Sequence, residues 1–147
     1  MTSNYLIEVL KEVNSQIARD VSILSKQLLP ENPDISADNL MQVIKHPANH
    51  LLIAKNKENR IIGMIMLVVV LTVEQRLAFI ENLVVDESVR KQGVASALMM
   101  KMTKMAKQMN LASIHLTSRP SRVAANEFYK KWGFKLHNTN YYKLQLS

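Results

Sequence analysis

A short polar turn with one glycine, Arg90-Lys91-Gln92-Gly93-Val94-Ala95, joins an apolar run at residues 83–85 to a long amphipathic segment. This pattern predicts a strand, a turn and the start of a helix. The first N–H groups of a helix have no partners within the helix, and a glycine leaves room for a ligand beside them. Because the helix dipole and the cations Arg90 and Lys91 favour an anion, the turn has the chemistry of a phosphate or pyrophosphate site.

Residue types and spacing exclude several other chemistries. The chain contains neither GxxxxGK[ST] nor GxGxxG, so the turn is not a P-loop or a dinucleotide fingerprint. It has no cysteine, which excludes disulfides, thiolate metal sites and a cysteine nucleophile. Its four histidines are scattered without metal-ligand spacing. Taken alone, R-x-x-G-x-A is also typical of an ordinary strand-to-helix connection, so the assignment of a function needs a second motif.

That second motif lies about 30 residues further on, at Ala125-Asn126-Glu127-Phe128-Tyr129-Lys130-Lys131-Trp132-Gly133-Phe134. It matches the pattern A-x-x-F/L-Y-x-x-x-G-F, while Arg90, Gly93 and Ala95 match [QR]-x-x-G-x-[GA]. Both patterns are signatures of the GNAT superfamily of acyl-CoA-dependent N-acetyltransferases, which this chain resembles over essentially its whole length. One signature would be suggestive, whereas two in the right order are specific.

The resemblance implies acetyl-CoA as a co-substrate and no metal. In the family pattern, the backbone at residues 83–85 pairs with the pantetheine arm and the amides of residues 92–96 hold the pyrophosphate. The cofactor-binding residues that this implies are Leu83, Val84, Val85, Arg90, Lys91, Gln92, Gly93, Val94, Ala95, Ser96, Asn126 and Tyr129.

The resemblance also implies two catalytic residues. Tyr129 is expected to protonate the leaving thiolate, which suits a phenol because its pKa of about 10 keeps it protonated at neutral pH. Glu81 is expected to take a proton from the amine, with Glu74 as the alternative base. The N–H of Val84 or Val85 is expected to polarise the thioester carbonyl.

Each of these assignments has a purely structural alternative. Tyr129 would equally pack at a helix end, and Glu81 would equally face solvent from a strand. Arg119 and Arg122 either meet the 3′-phosphate of CoA or add solubilising charge, and the histidines are interpreted as structural. The chain departs from the family pattern at Lys91, where relatives usually carry glycine, so the conformation of the turn stays open.

Apolar periodicity predicts the elements that position these residues. Helices are expected from the Asn14-Ser15 cap to Pro30, from Ser36 to Pro47, after the glycine turn, and over residues 122–132. Gly63 predicts a bulge or a close backbone contact. Strands are expected at residues 4–9, 50–55, 60–72, 78–85, 113–117, 134–137 and 141–146.

Together these elements predict one mixed α/β (α+β) domain over residues 1–147. Their order, β-α-α-β-β-β-α-β-α-β-β, is that of the GNAT fold. A mostly antiparallel sheet of about seven strands, flanked by helices, is therefore expected.

Charge and hydropathy limit the partners. The 19 Lys+Arg against 12 Asp+Glu give a net charge of +7, but the lysines are spread and aromatic residues make up only 5%. Nucleic acid is therefore disfavoured as a partner. The N-terminus lacks the order of a signal peptide, and the longest apolar run is far shorter than the roughly 20 residues that span a bilayer. We therefore expect a cytoplasmic protein without a membrane partner.

The sequence thus predicts direct transfer of an acetyl group from acetyl-CoA to a primary amine. The absence of cysteine favours direct transfer over an acyl-enzyme. A non-catalytic acyl-CoA sensor of the same fold is the alternative. The acceptor stays open among polyamines, amino sugars, amino acids and protein amines, and a homodimer through the C-terminal strands is possible.

Overall fold

The computed structural model of the chain describes residues 4–147 and resolves into two compact units that meet in sequence at Leu116 and Thr117. The first unit holds nearly all of the regular structure. Its elements are β1 (Tyr5–Val9), α1 (Ser15–Leu28), α2 (Ala37–Lys45), β2 (Asn49–Asn56), β3 (Ile61–Leu71), β4 (Arg76–Val85), a 3-10 turn (Glu87–Val89), α3 (Val94–Gln108) and β5 (Ile114–His115). The second unit contains one helix, α4 (Val123–Lys131).

The five strands form one sheet in the order β1-β2-β3-β4-β5. The first four strands are antiparallel neighbours, and β5 joins β4 in parallel. The predicted mixed α/β (α+β) class is therefore confirmed. The predictions of a single domain over residues 1–147 and of a homodimer stay predictions.

Helices pack on both faces of this sheet. On one face α1 and α2 cover a core cluster that includes Val21, Leu24, Leu40, Ile53 and Met64. On the other face α3 covers Gly63: a Cβ there would lie 3.1 Å from Val94 Cγ1 and 3.3 Å from Leu98 Cδ1. The expectation of a close backbone contact at Gly63 is thus confirmed, since the glycine lets α3 approach β3.

The starts of α1 and α2 agree with the sequence prediction, because a capping side chain bonds to a backbone N–H only a few residues away. The Asn14 side chain accepts a hydrogen bond from the Ile17 N–H, and the Ser36 side chain accepts one from the Asn39 N–H. Gly133 follows α4 with φ +98°, the left-handed conformation that ends many helices.

The expected count of about seven strands is wrong, because residues 134–137 and 141–146 form no strand. A strand needs a partner for its backbone, and the only backbone-to-backbone hydrogen bond within residues 135–147 joins the Thr139 N–H to the His137 carbonyl. The apolar side chains of this segment, such as Leu136 and Leu144, are exposed. The strand expected at residues 113–117 is also shorter than predicted, since only Ile114 and His115 pair with β4.

Candidate functional site

The N-terminus of α3 is open in a way that the first two helices are not. Asn14 and Ser36 cap α1 and α2 with side-chain oxygens, whereas Gly93 precedes α3 without any side-chain cap. The first helical hydrogen bond of α3 runs from the Ala97 N–H to the Gly93 carbonyl. The amides of residues 94–96 therefore have no acceptor within the helix and are available to an anion.

Two left-handed residues shape the turn before α3. Gly93 has φ +83° and Lys91 has φ +64°. A Cβ at Gly93 would meet no atom closer than the Tyr5 hydroxyl at 3.7 Å, so backbone conformation rather than crowding selects glycine there. Lys91 takes a conformation that glycine adopts more easily, which explains how this chain keeps the turn while departing from the family pattern at that position.

Residues 86–93 form the connection between β4 and α3. Hydrogen bonds at its start fix the path that it takes from β4. The Asp86 carboxylate accepts from the Ser88 N–H at 2.9 Å and from the Ser88 hydroxyl at 2.6 Å. The Arg90 Nε donates to the Val85 carbonyl at 3.3 Å. Hydrogen bonds from Ser88 oppose the effect of partial burial and lower the pKa of Asp86, so this carboxyl is ionised at neutral pH. The Asp86 carboxylate thus holds the start of the connection, and the backbone amides of the turn are not needed for this.

Strand β4 carries a bulge beside the residues expected to pair with pantetheine. Met66 lies opposite Glu81 and Met64 opposite Val84, so β4 holds one residue more than β3 in this interval. Asn82 takes φ +55° there. A bulge changes which side of the strand successive residues face, and Glu81 and Asn82 are accordingly both exposed.

The β5 side of β4 is open over the same residues. Within residues 4–116, β5 pairs with β4 only at Ala78 and Phe79. The backbone of β4 from residue 81 to 85 therefore has no strand on that side in this unit. An extended arm with amide groups could add to such an edge by backbone hydrogen bonding, as peptides do at sheet edges.

Glu81 shares its face of the sheet with a histidine. Phe79 and Glu81 are two residues apart on one strand, so their side chains point to the same side. His115 lies opposite Phe79, with ring centroids 5.3 Å apart, and its Nε2 is 2.8 Å from the Ser113 hydroxyl. Glu81 makes no hydrogen bond or ion pair with any residue of 4–147, which leaves its carboxylate free to accept a proton.

The alternative base, Glu74, lies at the far end of β4. It belongs to the tip between β3 and β4, where its carboxylate accepts a hydrogen bond from the Thr72 hydroxyl at 3.2 Å. Strand β4 begins only at Arg76, and from there five residue steps of extended chain, roughly 17 Å, lead to Glu81. The two carboxylates are therefore not interchangeable with respect to a ligand held at residues 83–96.

The remaining predicted site residues belong to the second unit. Tyr129 is buried on α4, and that burial raises the pKa of its phenol, although the charge of Arg122 acts in the opposite direction. The Asn126 side-chain amide donates to the Arg119 carbonyl at 2.9 Å and so fixes the entry to α4. Phe128 and Phe134 each pack edge-on against the Tyr129 ring.

Three residues near the predicted site, Asn82, His115 and Gln27, have no predicted role in it. Asn82 had a weak signal, since asparagine tolerates the left-handed conformation better than most residues. His115 is interpreted as structural because of its strand position, and its contact with Phe79 joins residues that are distant in sequence. Gln27 was overlooked entirely: its side chain reaches Asp86 and Glu87 from α1, across about 60 residues, and no local pattern signals such a contact.

Two other kinds of feature are absent from the part of the chain that the structure describes. No group of three or more His, Asp or Glu side chains could hold a metal ion. No helix has the length and apolar character that crossing a membrane requires.

Comparison with known proteins identifies a family for this chain and solved structures of similar fold. The model of the acetyltransferase (GNAT) family matches residues 19–134. An acetyltransferase from Trypanosoma brucei is 23% identical, with 97% of this chain and 99% of that chain covered and a TM-score of 0.79. No curated protein sequence matches the chain.

Two further solved structures share the fold. Glucosamine-6-phosphate N-acetyltransferase from Arabidopsis thaliana is 14% identical, covers 97% of this chain and 99% of its own, and has a TM-score of 0.81. An aminoglycoside 6′-N-acetyltransferase from Acinetobacter baumannii is 20% identical with the same coverage and a TM-score of 0.76. At these identities the likeness concerns the fold alone.

Proposed function

Because this chain belongs to the acetyltransferase (GNAT) family, we propose that it transfers an acetyl group from acetyl-CoA directly to a primary amine. The observation that carries the proposal is the uncapped start of α3 behind the left-handed Gly93. This start is joined by a short connection to a β4 edge that β5 leaves unpaired after Phe79. Amides for a diphosphate and an edge for an amide-containing arm are what the two parts of CoA require.

The residue types present suit the chemical groups of CoA. Backbone amides of residues 92–96, with Arg90 and Lys91 beside them, would bind the diphosphate. The backbone of Leu83, Val84 and Val85 would bind the pantetheine arm, and Asn126 would contact CoA through its side-chain oxygen. When bound, acetyl-CoA supplies the acetyl group as an activated thioester.

Tyr129 is the proposed proton donor. Its buried phenol has a pKa above the ordinary value, so it holds its proton throughout the neutral and mildly alkaline range. A protonated phenol can donate to sulfur as the thiolate leaves. Tyr129→Phe removes only the hydroxyl, and we expect kcat to fall by about 100-fold, the lower range for loss of a general acid.

Glu81 is the proposed proton acceptor. An amine reaches neutral pH as an ammonium ion and must lose a proton before it can attack a carbonyl carbon. The Glu81 carboxylate is exposed, has no protein partner within residues 4–147 and lies two residues from the arm-binding stretch. Glu81→Gln keeps the shape and removes the basic oxygen, so we expect a lower kcat/KM that recovers partly at alkaline pH.

For the acceptor, we propose amino sugars as the class to test first. Two proteins of the same fold are named for the N-acetylation of glucosamine-6-phosphate and of an aminoglycoside. The net charge of +7 makes a phosphorylated amino sugar the better electrostatic match than a polycationic aminoglycoside.

The test is release of CoA thiol from acetyl-CoA across a panel of amines. The panel holds amino sugars, their phosphates, aminoglycosides, polyamines, amino acids and peptides. Wild type, Tyr129→Phe, Glu81→Gln and the control Glu74→Gln are compared, and we expect Glu74→Gln to match wild type. Tight acetyl-CoA binding without thiol release for any amine would favour the sensor function instead, and failure to bind acetyl-CoA would contradict both.

A further inference from the structure

One side chain of α1 reaches the connection that leads into the diphosphate-binding turn. Gln27 lies in the last turn of α1 and makes two hydrogen bonds with that connection. Its Nε2 donates to the Asp86 carboxylate at 3.2 Å, and its Oε1 accepts from the Glu87 N–H at 3.0 Å. One amide side chain thus satisfies both a charged acceptor and a backbone donor of the connection.

Among residues 4–147, Gln27 has the one side chain from outside the connection that hydrogen-bonds to residues 86–89. Within residues 4–147, the remaining side-chain bonds to residues 86–89 come from Ser88, which belongs to the connection itself. On the backbone, the Asp86 N–H donates to the Ile62 carbonyl at 2.8 Å, which fixes where the chain leaves the sheet but not its direction afterwards. Gln27 is therefore the group that sets this direction relative to the helices.

We propose that Gln27 is a positioning residue for the CoA diphosphate, acting through Asp86 and Glu87 on the amides that open α3. The inference rests on the proposed function, because it assigns the turn to acetyl-CoA. The hydrogen bonds of the Gln27 side chain go to Asp86 and Glu87 and not to the turn at residues 91–93. Its role is to hold the preceding residues so that the left-handed turn presents its amides in one orientation.

Two physical effects connect these hydrogen bonds to ligand affinity. A connection that is already ordered does not have to be ordered when the ligand binds, so less conformational entropy is lost. The bond to Asp86 also engages a carboxylate that precedes an uncapped helix. Loss of that bond leaves the Asp86 carboxylate with its hydrogen bonds from Ser88 alone, so fewer hydrogen bonds hold the start of the connection.

The chain offers a closely matched control on the same helix. Gln16 also donates from its Nε2 to an aspartate, Asp20, at 2.9 Å, and its Oε1 accepts from Arg19 at 3.1 Å. Gln16→Met and Gln27→Met therefore each remove two hydrogen bonds of a glutamine side chain on α1, and only Gln27→Met removes bonds to the connection. Any general effect of changing a glutamine on α1 should appear in both variants.

The experiment measures acetyl-CoA binding by calorimetry and amide exchange of the ligand-free protein. We expect the Kd of Gln27→Met to rise about tenfold, the effect of losing two ordinary hydrogen bonds, and that of Gln16→Met to change less than about twofold. Acetyl-pantetheine, which lacks the diphosphate, should bind both variants as it binds wild type. Amides of residues 92–96 should exchange faster in Gln27→Met alone.

A double variant provides the rescue. In Gln27→Glu the carboxylate faces Asp86 and should weaken binding, whereas Gln27→Glu with Asp86→Asn restores a donor and an acceptor with exchanged places. We expect the double variant to regain most of the affinity for acetyl-CoA. Unchanged exchange and affinity in Gln27→Met, or equal loss for acetyl-pantetheine, would overturn the inference while leaving the proposed function intact. Failure of wild type to bind acetyl-CoA would overturn both.

Discussion

Gly93 shows most directly how one residue governs the candidate site. Its φ of +83° is unfavourable for any L side chain, while the space around a Cβ at this position is free. Gly93→Ala should therefore cost about 1–2 kcal/mol through the backbone alone. We expect a chain that still folds but binds acetyl-CoA more weakly by calorimetry, because relief of the strain reorients the amides of α3.

The control for this strain lies at the other end of the same helix. Asn110 has φ +57° just beyond the end of α3, so Asn110→Ala also places an alanine in the left-handed region. Its midpoint of urea unfolding should shift in the same direction as that of Gly93→Ala, with acetyl-CoA affinity unchanged. Equal affinity in both variants would show that the conformation at Gly93 does not matter for the ligand.

A second prediction for a single residue concerns Tyr129 and the pH dependence of kcat. Burial raises the pKa of its phenol above the ordinary value of about 10. The acid form needed for the reaction therefore persists as the solution becomes alkaline. We expect kcat to show no decline between pH 7 and about pH 10, and a decline centred near pH 8 would exclude Tyr129 as the proton donor.

Among the elements, α1 is fixed to the β2–β3 hairpin by a charged contact. The buried Asp20 carboxylate accepts from Arg60 Nε and Nη2 at 3.0 and 2.6 Å and from the Ile61 N–H at 3.1 Å. Burial opposes ionisation of Asp20, but these bonds and one from Gln16 outweigh it and lower its pKa. This contact therefore ties α1 to the start of β3.

The lowered pKa of Asp20 sets the pH dependence of its contribution to stability. The contribution is complete above the unfolded-state pKa of about 3.9 and is lost as the pH falls through the lower folded-state value. Asp20→Asn should lower the free energy of unfolding by roughly 3 kcal/mol at pH 7, and the difference should shrink below about pH 4. Urea unfolding measures both, and the control Asp34→Asn, an exposed partner of Lys26, should cost less than about 1 kcal/mol.

The contact of α3 with β3 makes a further prediction. Gly63→Ala would place a Cβ 3.1 Å from Val94 Cγ1, so either the first residue of α3 or the strand must shift. We expect a loss of about 1–3 kcal/mol in unfolding free energy, typical of overpacking. Adding Val94→Ala should recover part of that loss, because it removes the crowded methyl. Additive losses in the double variant would show that this contact is not the cause.

Elements whose signals are local could be predicted from the sequence, and elements that need a distant partner could not. The caps at Asn14 and Ser36 and the glycine before α3 act within one turn of chain, so the helices were placed correctly. By contrast, polar and apolar side chains alternate in residues 141–146, as they do in a strand. This alternation indicates only a preference for strand structure. No partner strand supplies the backbone hydrogen bonds that the segment would need. The Asn82 bulge likewise depends on the pairing between β3 and β4.

For the molecule as a whole, the sequence could predict the family better than the geometry of the candidate site. The turn at residues 90–95 and the segment at residues 125–134 carry the family signatures, which depend on residue identity alone. The contacts of Gln27 with Asp86 and of His115 with Phe79 join residues more than 30 positions apart. Contacts of this kind follow only from the assembled sheet and its helices.

Binding of acetyl-CoA should stabilise the whole chain against heat, because a ligand that binds only the folded state adds its binding free energy to folding. At a concentration of one hundred times Kd the gain is about 2.7 kcal/mol, which corresponds to a rise in Tm of roughly 5–10 °C for a chain of this size.

Since the protein carries a net charge of +7, nucleic acid provides the informative comparison. Heparin and duplex DNA should shift Tm little at 150 mM salt, because the lysines are spread along the chain rather than gathered in one basic segment. A larger shift with DNA than with acetyl-CoA, lost at high salt, would instead indicate a nucleic-acid-binding protein.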